Sequence, residues 1–538
     1  MKVAKQTTGR ASSNATQTFI KGALVLSIAG LIAKVLSAFF RVPLGNLIGD
    51  TGMGYYQAGY PIYTLFTAIA IVGIPSTIAK LVAEKRVLGE YQMAKDIFTH
   101  TMKLMLIIGG IVSMLILAGT PFMIRAFNWA PETKYSLWGL ALSPLFVCIM
   151  GVFRGYFQGM QNMAPTAVSQ VLENLGRVAA GLSLAFLFFP DLGKAAGGAS
   201  FGAVAGGMCG ATALGFFYMR QKKLINEEIA GSQKPKEQRI GFKAVAKMVL
   251  VIAIPISIGA AVNSIINFLD SALVIKTLIQ TGLSLETANE YFGQLGKVST
   301  FINFPLTFGM ALVIGLVPAI SEAAAKKDKD EVQTKIELGI RFAVLLAMPA
   351  SIGLAVLANP IMKFIYANAP DGGNILAVAA LSIVFIMLGQ AFTGILQGVG
   401  KVWQPVIGIG LAAITKAILN MVLVMTPLRV VGAAIASIAA YAVFAVYNYV
   451  MMRKYTGFKL NTGLVIIKPM ISTMVMGVLA AGTYYILAQF IGTDSFAKNA
   501  LITFIGILVG GIAYLILIFL TGAITKKDIQ EILNKKEK

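Results

Sequence analysis

Residues 19–44 read FIKGALVLSIAGLIAKVLSAFFRVPL. As a helix rising about 1.5 Å per residue, this stretch exceeds the roughly 30 Å hydrocarbon core of a bilayer, which about 20 residues suffice to cross. It is too long for the apolar core of a secretory signal, and no small-residue cleavage pattern follows it, so it is expected to remain as the first membrane span. Comparable runs recur along all 538 residues, of which 57% are hydrophobic and 13% charged, more apolar sequence than a soluble core absorbs. The runs are rich in Leu, Ile, Ala, Met and Gly and lack the strict alternation of barrel strands. A helix satisfies its own backbone in lipid, so the predicted class is an all-α integral membrane protein.

Beyond residue 44, further spans are predicted near 56–79, 101–125, 136–153, 166–189, 197–219, 246–272, 298–321, 337–363, 374–396, 406–426, 430–452, 465–490 and 499–521, about 14 in all. The net charge of +22 does not point to nucleic acid, because the 45 Lys and Arg are spread over alternate loops instead of one stripe. With residues at span ends assigned to the nearer side, 33 fall on one side, 8 on the other and 4 inside spans. That asymmetry predicts a multi-pass protein of the cell membrane with both termini in the cytoplasm. The most polar insert, with Arg220, Lys222, Lys223, Lys234, Lys236, Arg239 and Lys243, reads as a cytoplasmic linker. The expected organisation is an N-lobe over 1–219, a linker over 220–247, a C-lobe over 248–452, two further helices over 453–521 and a cytoplasmic tail over 522–538.

The two lobes read as six-helix repeats offset by about 240 residues. Residues 153–159, FRGYFQG, followed by Pro165, return as FTGILQG at 392–398, followed by Pro405. Six is even, so both copies share one orientation and the repeat axis runs along the membrane normal. Glycine pairs at 155/159, 206/210, 394/398 and 506/510 are expected to let helix backbones approach closely. Cys148 and Cys209 lie inside apolar spans and read as packing residues, while Trp129, Trp138 and Trp403 fit the aromatic belts at the membrane faces.

Six segments occur in chain order: GDTGMGYY at 49–56, GIPSTIAK at 73–80, RGYFQG at 154–159 with APTAVSQ at 164–170, FP at 304–305, and VPAIS at 317–321. With these motifs the chain resembles the multidrug/oligosaccharidyl-lipid/polysaccharide exporter superfamily, and within it the branch of MurJ lipid II flippases and stage V sporulation protein B. The resemblance covers nearly the whole chain. It implies two lobes forming a V around a cationic cavity, with the last two helices making a lipid-facing groove. The implied cargo is an undecaprenyl-diphosphate-linked sugar carried from the inner to the outer leaflet. MurJ proteins of the better-known Gram-negative type carry arginines in helices 1, 2 and 8, of which Arg41 matches the first. Helix 2 here reads YYQAGYPIY at 55–63 without a basic residue, and the helix 8 position holds Thr300, with Lys297 about one turn earlier.

A charge in mid-membrane costs roughly 2.5 to 3.5 kcal/mol on insertion scales, so each asks for a partner or an aqueous cavity. Lys34 and Arg41 are seven apart on one face of helix 1 and form a basic stripe; the alternative for Arg41 is snorkelling and a pair with Asp50. Glu173 and Arg177 have the i, i+4 spacing of an internal pair, and the repeat offset brings Arg177 opposite Lys416. Asp270 with Asn267 and Asn263 lines one face of helix 7, a weaker candidate for a sodium site. The expected cavity set is therefore Arg41, Lys34, Arg177, Lys416, Lys297, Glu173, Asp270 and Asn267.

No nucleophile and base, metal-ligand cluster or phosphate loop occurs in a cytoplasmic segment long enough to fold as a catalytic domain, so neither an enzyme nor a cofactor is expected. The expected function is a flippase for a lipid-linked oligosaccharide, foremost the peptidoglycan precursor lipid II, working by alternating access. The alternatives are a flippase for another polyprenyl-linked unit, a multidrug or cation antiporter, and a non-transporting scaffold for cell-wall enzymes. Expected partners are the lipid-linked glycan, membrane lipids and cell-wall synthesis proteins, with no nucleic acid.

Overall fold

The computed structural model describes residues 2–68, 73–231, 239–326 and 328–524. Side chains are described from residue 25 onward, apart from 27, 34, 38, 255, 258–260, 262, 263, 310–315, 318, 319, 322 and 325. The side chains of Lys34 and Asn263, part of the expected linker and most of the expected tail therefore lie outside the described residues.

The described chain is helical, in keeping with a backbone that must bond to itself in lipid. The order is α1 (Lys2–Ala68), α2 (Ile74–Val87), α3 (Tyr91–Phe127), α4 (Thr133–Leu140), α5 (Ser143–Gly159), α6 (Ala164–Phe188), α7 (Leu192–Ala230), α8 (Phe242–Ala260) and α9 (Val262–Gln280). There follow α10 (Leu285–Ala325), α11 (Lys329–Val356), α12 (Ala358–Ile365), α13 (Gly373–Ala379), α14 (Ser382–Gly398), α15 (Trp403–Val424) and α16 (Val430–Thr456). A π-helical turn, Gly463–Ile467, leads into α17 (Lys468–Ile491), and α18 is Phe496–Leu520.

Among the described residues, 11 helices are long and apolar enough to cross a membrane. The chain is a multi-pass membrane protein. The first two expected spans share one helical run, which Gly49 breaks with φ 62 and ψ −165, a conformation that suits glycine. The expected spans near 246–272 and 298–321 coincide with α8 to α10, several of whose side chains lie outside the described set. The start of the expected linker continues α7 as helix as far as Ala230.

Two compact units divide the chain. One comprises residues 1–48 and 55–271, the other 49–54 and 272–538. The first is centred on Ile78, Ile97, Met150, Val152, Tyr156 and Leu214. The second has cores around Tyr366, Leu376 and Ile502 and around Ile320, Ile340 and Leu396. Matching helices recur at a constant spacing. α5 and α14 both have 17 residues, with starts at 143 and 382 and ends at 159 and 398, an offset of 239. α6 and α15 start at 164 and 403, at the same offset.

The glycine pairs 155/159, 206/210 and 506/510, and Gly398 of the fourth, do serve close packing. Cβ atoms on Gly155 and Gly159 would collide with Pro75, Ile78 and Val82 of α2, and one on Gly398 with Ile320 of α10. Gly506 and Gly510 face Ala480 and Met476 in the same way, joining α18 to α17. Along α7, a Cβ on Gly202 would stand 2.7 Å from the Arg177 carbonyl, and one on Gly206 would overlap the carbonyl of Glu173. Backbone contact of this kind seats α6 against α7 just where α6 carries its charges. Large apolar side chains such as Phe122, Phe186, Met219, Val478 and Phe490 remain exposed, as expected of surfaces turned to lipid. Trp138 and Trp403 are exposed, but Trp129 is buried, where its indole Nε1 donates to the Ser271 carbonyl at 2.8 Å; it is a core residue and not part of a belt.

Replacing Gly206 with Val should lower the yield of folded protein severalfold, because the new side chain meets backbone that cannot yield. Gly110→Ala, where nothing lies within 4 Å, should change stability by less than about 1 kcal/mol. Size-exclusion profiles and thermal midpoints in detergent would separate the two; equal behaviour would contradict this account of the α6 and α7 contact.

Candidate functional site

Helix α6 carries Glu173 and Arg177 one turn apart, close to α7. The Glu173 carboxylate has two arginine partners. Arg154, from the last turns of α5, reaches Glu173 Oε2 at 2.8 Å and donates through Nε to Ser169 Oγ at 3.0 Å. Arg177 lies 3.5 Å from Glu173 Oε1. The side chains of Arg154, Glu173 and Arg177 are only 3%, 7% and 12% exposed. Two cations on one anion leave this buried cluster with a net positive charge.

That surplus is carried into a ladder of tyrosines. Arg177 Nη2 donates to Tyr63 Oη at 2.5 Å, with the guanidinium 5.4 Å from the ring centre. The Tyr63 ring is 5.6 Å from that of Tyr60, which stacks on Tyr56 at 5.2 Å. Over the Tyr60 ring, 4.9 Å away, sits the Arg41 guanidinium. Ring faces attract cations, so Tyr60 and Tyr63 seat two arginines against the part of α1 after Gly49, which has no basic residue of its own. The cluster thus gathers Arg41, Arg177 and Glu173 from the expected set.

The second unit holds the expected lysines in different settings. Lys297 of α10 is fully buried, is paired with Asp50 and donates to the Ala369 carbonyl at 2.5 Å, with the Tyr366 ring 5.2 Å away. Gln294 Nε2 donates to the other oxygen of Asp50 at 3.0 Å. Lys416 of α15 is fully buried and donates to Ala433 O at 2.8 Å and Ser437 Oγ at 2.5 Å, both on α16. In the first unit, Asp270 is buried and Asn267 half-buried on α9, and the neighbouring Ser271 donates to Ala58 O at 2.6 Å. Among the described residues no three or more His, Cys, Asp or Glu side chains gather closely enough to share a metal.

Sequence reading missed Arg154, Tyr60 and Tyr63. Arg154 fell one residue beyond the predicted span end at 153, whereas α5 continues to Gly159 and keeps it inside. The tyrosines stand in segment 55–63, which has no charged residue to mark it as a site.

The family model described as polysaccharide biosynthesis protein matches residues 19–283, and the MatE model matches 255–422. With these two matches the chain is similar to the multidrug/oligosaccharidyl-lipid/polysaccharide exporter superfamily. Within it, the lipid II flippase MurJ of Bacillus subtilis is 25% identical over 518 residues, which are 92% of this chain and 94% of that protein. Stage V sporulation protein B of the same organism is 29% identical over 427 residues, 78% of this chain and 81% of its own length. The solved lipid II flippase MurJ in an inward closed conformation superposes with a TM-score of 0.66 at 16% identity, covering 92% of this chain and 98% of that one. At that identity the likeness is one of fold.

The triad sets separate expectations for its two arginines. Losing Arg177 leaves Glu173 held by Arg154, so Arg177→Ala should fold at near wild-type yield. Arg154→Ala removes the shorter contact and the bond to Ser169, and should cost about 3 to 5 kcal/mol. Thermal unfolding of the two purified variants in detergent tests this ordering, and greater damage from Arg177→Ala would contradict it.

Proposed function

We propose that this protein is a flippase that carries a lipid-linked, diphosphate-bearing oligosaccharide, foremost lipid II, from the inner to the outer leaflet. The observation that carries the reading is the buried cluster of Arg154, Glu173 and Arg177 with Arg41 and its tyrosines, a positive site inside a membrane bundle. A head group with about two negative charges cannot cross hydrocarbon unaided, and fixed guanidinium groups offset its lost hydration. A cation exporter would need the opposite sign. The names of the MurJ relatives support lipid II as cargo, and the polysaccharide biosynthesis model supports a second reading, another polyprenyl-linked glycan.

In this reading about 14 spans leave both termini in the cytoplasm, and residues 1–219 and 248–452 supply two lobes that open alternately. Arg41 and Arg177 hold the diphosphate from the first lobe while Lys416 serves the second. The part played by Lys34, Lys297, Asp270 and Asn267 is to shape the cavity's charge. The protein acts as a transporter and not an enzyme, with the glycan lipid as its principal partner.

A leaflet-resolved measurement of lipid II in depleted cells tests the reading. Depletion should trap lipid II in the inner leaflet, wild-type protein should restore it, and Arg177→Ala or Arg41→Ala should not. Arg177→Lys should restore it only in part, since a point charge lacks the two-pronged grip of a guanidinium. An unchanged lipid II distribution with another lipid-linked glycan accumulating would establish the second reading instead.

Transport should also respond to voltage. Moving one charge through 100 mV is worth about 2.3 kcal/mol, and an anion leaving an inside-negative cell runs downhill. Collapsing the potential at constant sodium gradient should slow flipping. If only removal of the sodium gradient stopped it, Asp270 and Asn267 would return as an ion site.

A further inference from the structure

Where α3 and α8 pack together in the first unit, they leave a small apolar cleft that the reading above does not use. Its volume is about 90 Å³, and it is lined by Met105, Ile108 and Val112 of α3 and by Leu250, Ala253 and Ile254 of α8. The lining carries no charge and a single hydroxyl, that of Ser257. The cleft is smaller than the roughly 150 Å³ apolar cavity that admits a benzene ring, and it suits a few methylenes of an unbranched chain. Ile254 lines it yet is 51% exposed, so the cleft has its mouth at the surface of the unit. Leu106, Ile107 and Val251 are also exposed, as on surfaces turned to lipid.

Basic side chains stand at one end of this cleft. The starts of the two helices meet through the His100 and Phe242 rings, edge to face with centres 6.1 Å apart, and both helices run from that contact toward the cleft. Lys103 lies one turn beyond His100, and Lys243 follows Phe242 directly. On α8, Lys243, Lys247, Leu250 and Ile254 are spaced by four, three and four residues, so two cations share a helix face with two of the cleft's lining side chains. From Lys247 to Ile254 the helix rises only about 10 Å. All three lysines are exposed, and none forms an ion pair or hydrogen bond with another described residue.

Unpaired ammonium groups above an apolar slot match the two parts of a phospholipid, its phosphate and its acyl chain. Such cations favour a head group with a net negative charge over a zwitterionic one. We propose that the cleft between α3 and α8 is a site for an anionic diacyl phospholipid. Lys103, Lys243 and Lys247 hold its head group, and one acyl chain runs along α8 into the cleft. A methyl-branched prenyl chain is too bulky for the same space, which separates this lipid from the cargo. The leaflet is the one on the side of the linker, the inner one in the proposed topology, but the site itself does not depend on the flippase reading. A lipid held there ties α8, the helix that follows the linker, to α3.

Photolabelling of the full-length protein in phosphatidylcholine nanodiscs tests the site. Phosphatidylglycerol with a diazirine in one acyl chain should label residues 105–112 and 250–257 at least fivefold more than the matching phosphatidylcholine, as read by peptide mass spectrometry. Lys243→Gln with Lys247→Gln should abolish that preference, whereas Lys243→Arg with Lys247→Arg should keep it; both positions are exposed, so neither pair threatens folding. Arg220→Gln with Lys223→Gln, exposed on α7, should leave the preference intact, and its loss there would reduce the effect to bulk charge and overturn the site. Equal labelling by the two lipids, or a preference that survives the paired glutamines, would also overturn it. Unlabelled undecaprenyl diphosphate competing better than unlabelled phosphatidylglycerol would assign the cleft to the cargo and overturn the phospholipid as its occupant.

Discussion

Glu173 shared between Arg154 and Arg177 is the interaction on which the first unit's chemistry depends. A lone carboxylate or guanidinium buried among helices carries a large desolvation cost, and a single pair would cancel its own charge. Two arginines on one carboxylate give each cation a partner and still leave a positive remainder. The arrangement requires α7 to come within backbone contact of α6, which Gly202 and Gly206 permit, and it directs Arg177 at Tyr63. Tyr63 in turn stands next to Tyr60, the ring over which Arg41 lies.

The internal repeat explains the asymmetry between the units. At the offset of 239 seen in α5 and α14, Arg154 corresponds to Thr393, Glu173 to Ala412 and Arg177 to Lys416. The second copy therefore has neither the shared carboxylate nor the arginine that neutralises it, and has a lysine at the remaining position. Thr393 instead accepts from Asn448 at 3.2 Å, and Lys416 finds neutral oxygen acceptors on α16. One cation per repeat at the same helical position is the feature both copies retain, by different local means.

What could be read in advance was whatever depends on a helix in lipid. The apolar runs, the glycine pairs and the i, i+4 spacing of Glu173 and Arg177 are local features and appear where expected. Partners drawn from distant helices were not legible. Asp50 is near enough in sequence to suggest a pair with Arg41, but Lys297 and Gln294, about 240 residues away in sequence, occupy its carboxylate. Arg154 was hidden by a span boundary six residues short of the helix end, an error beyond the usual two to about four residues, because charged Arg154 itself reads as the start of a loop. The segment 55–63 has no basic residue, and its rings hold arginines supplied by other segments.

The most direct test reconstitutes purified protein into liposomes and measures the flipping rate of a diphosphate-linked glycan lipid for the wild type and the double variant Glu173→Gln with Arg177→Leu. The double change removes one charge of each sign and leaves Arg154 in place, so the local net charge is preserved while the arginine facing Tyr63 is lost. If Arg177 grips the head group, the folded fraction of the double variant should flip at least tenfold more slowly per molecule, although Arg154 loses its carboxylate and the yield falls. A well-folded double variant flipping at the wild-type rate would contradict the account.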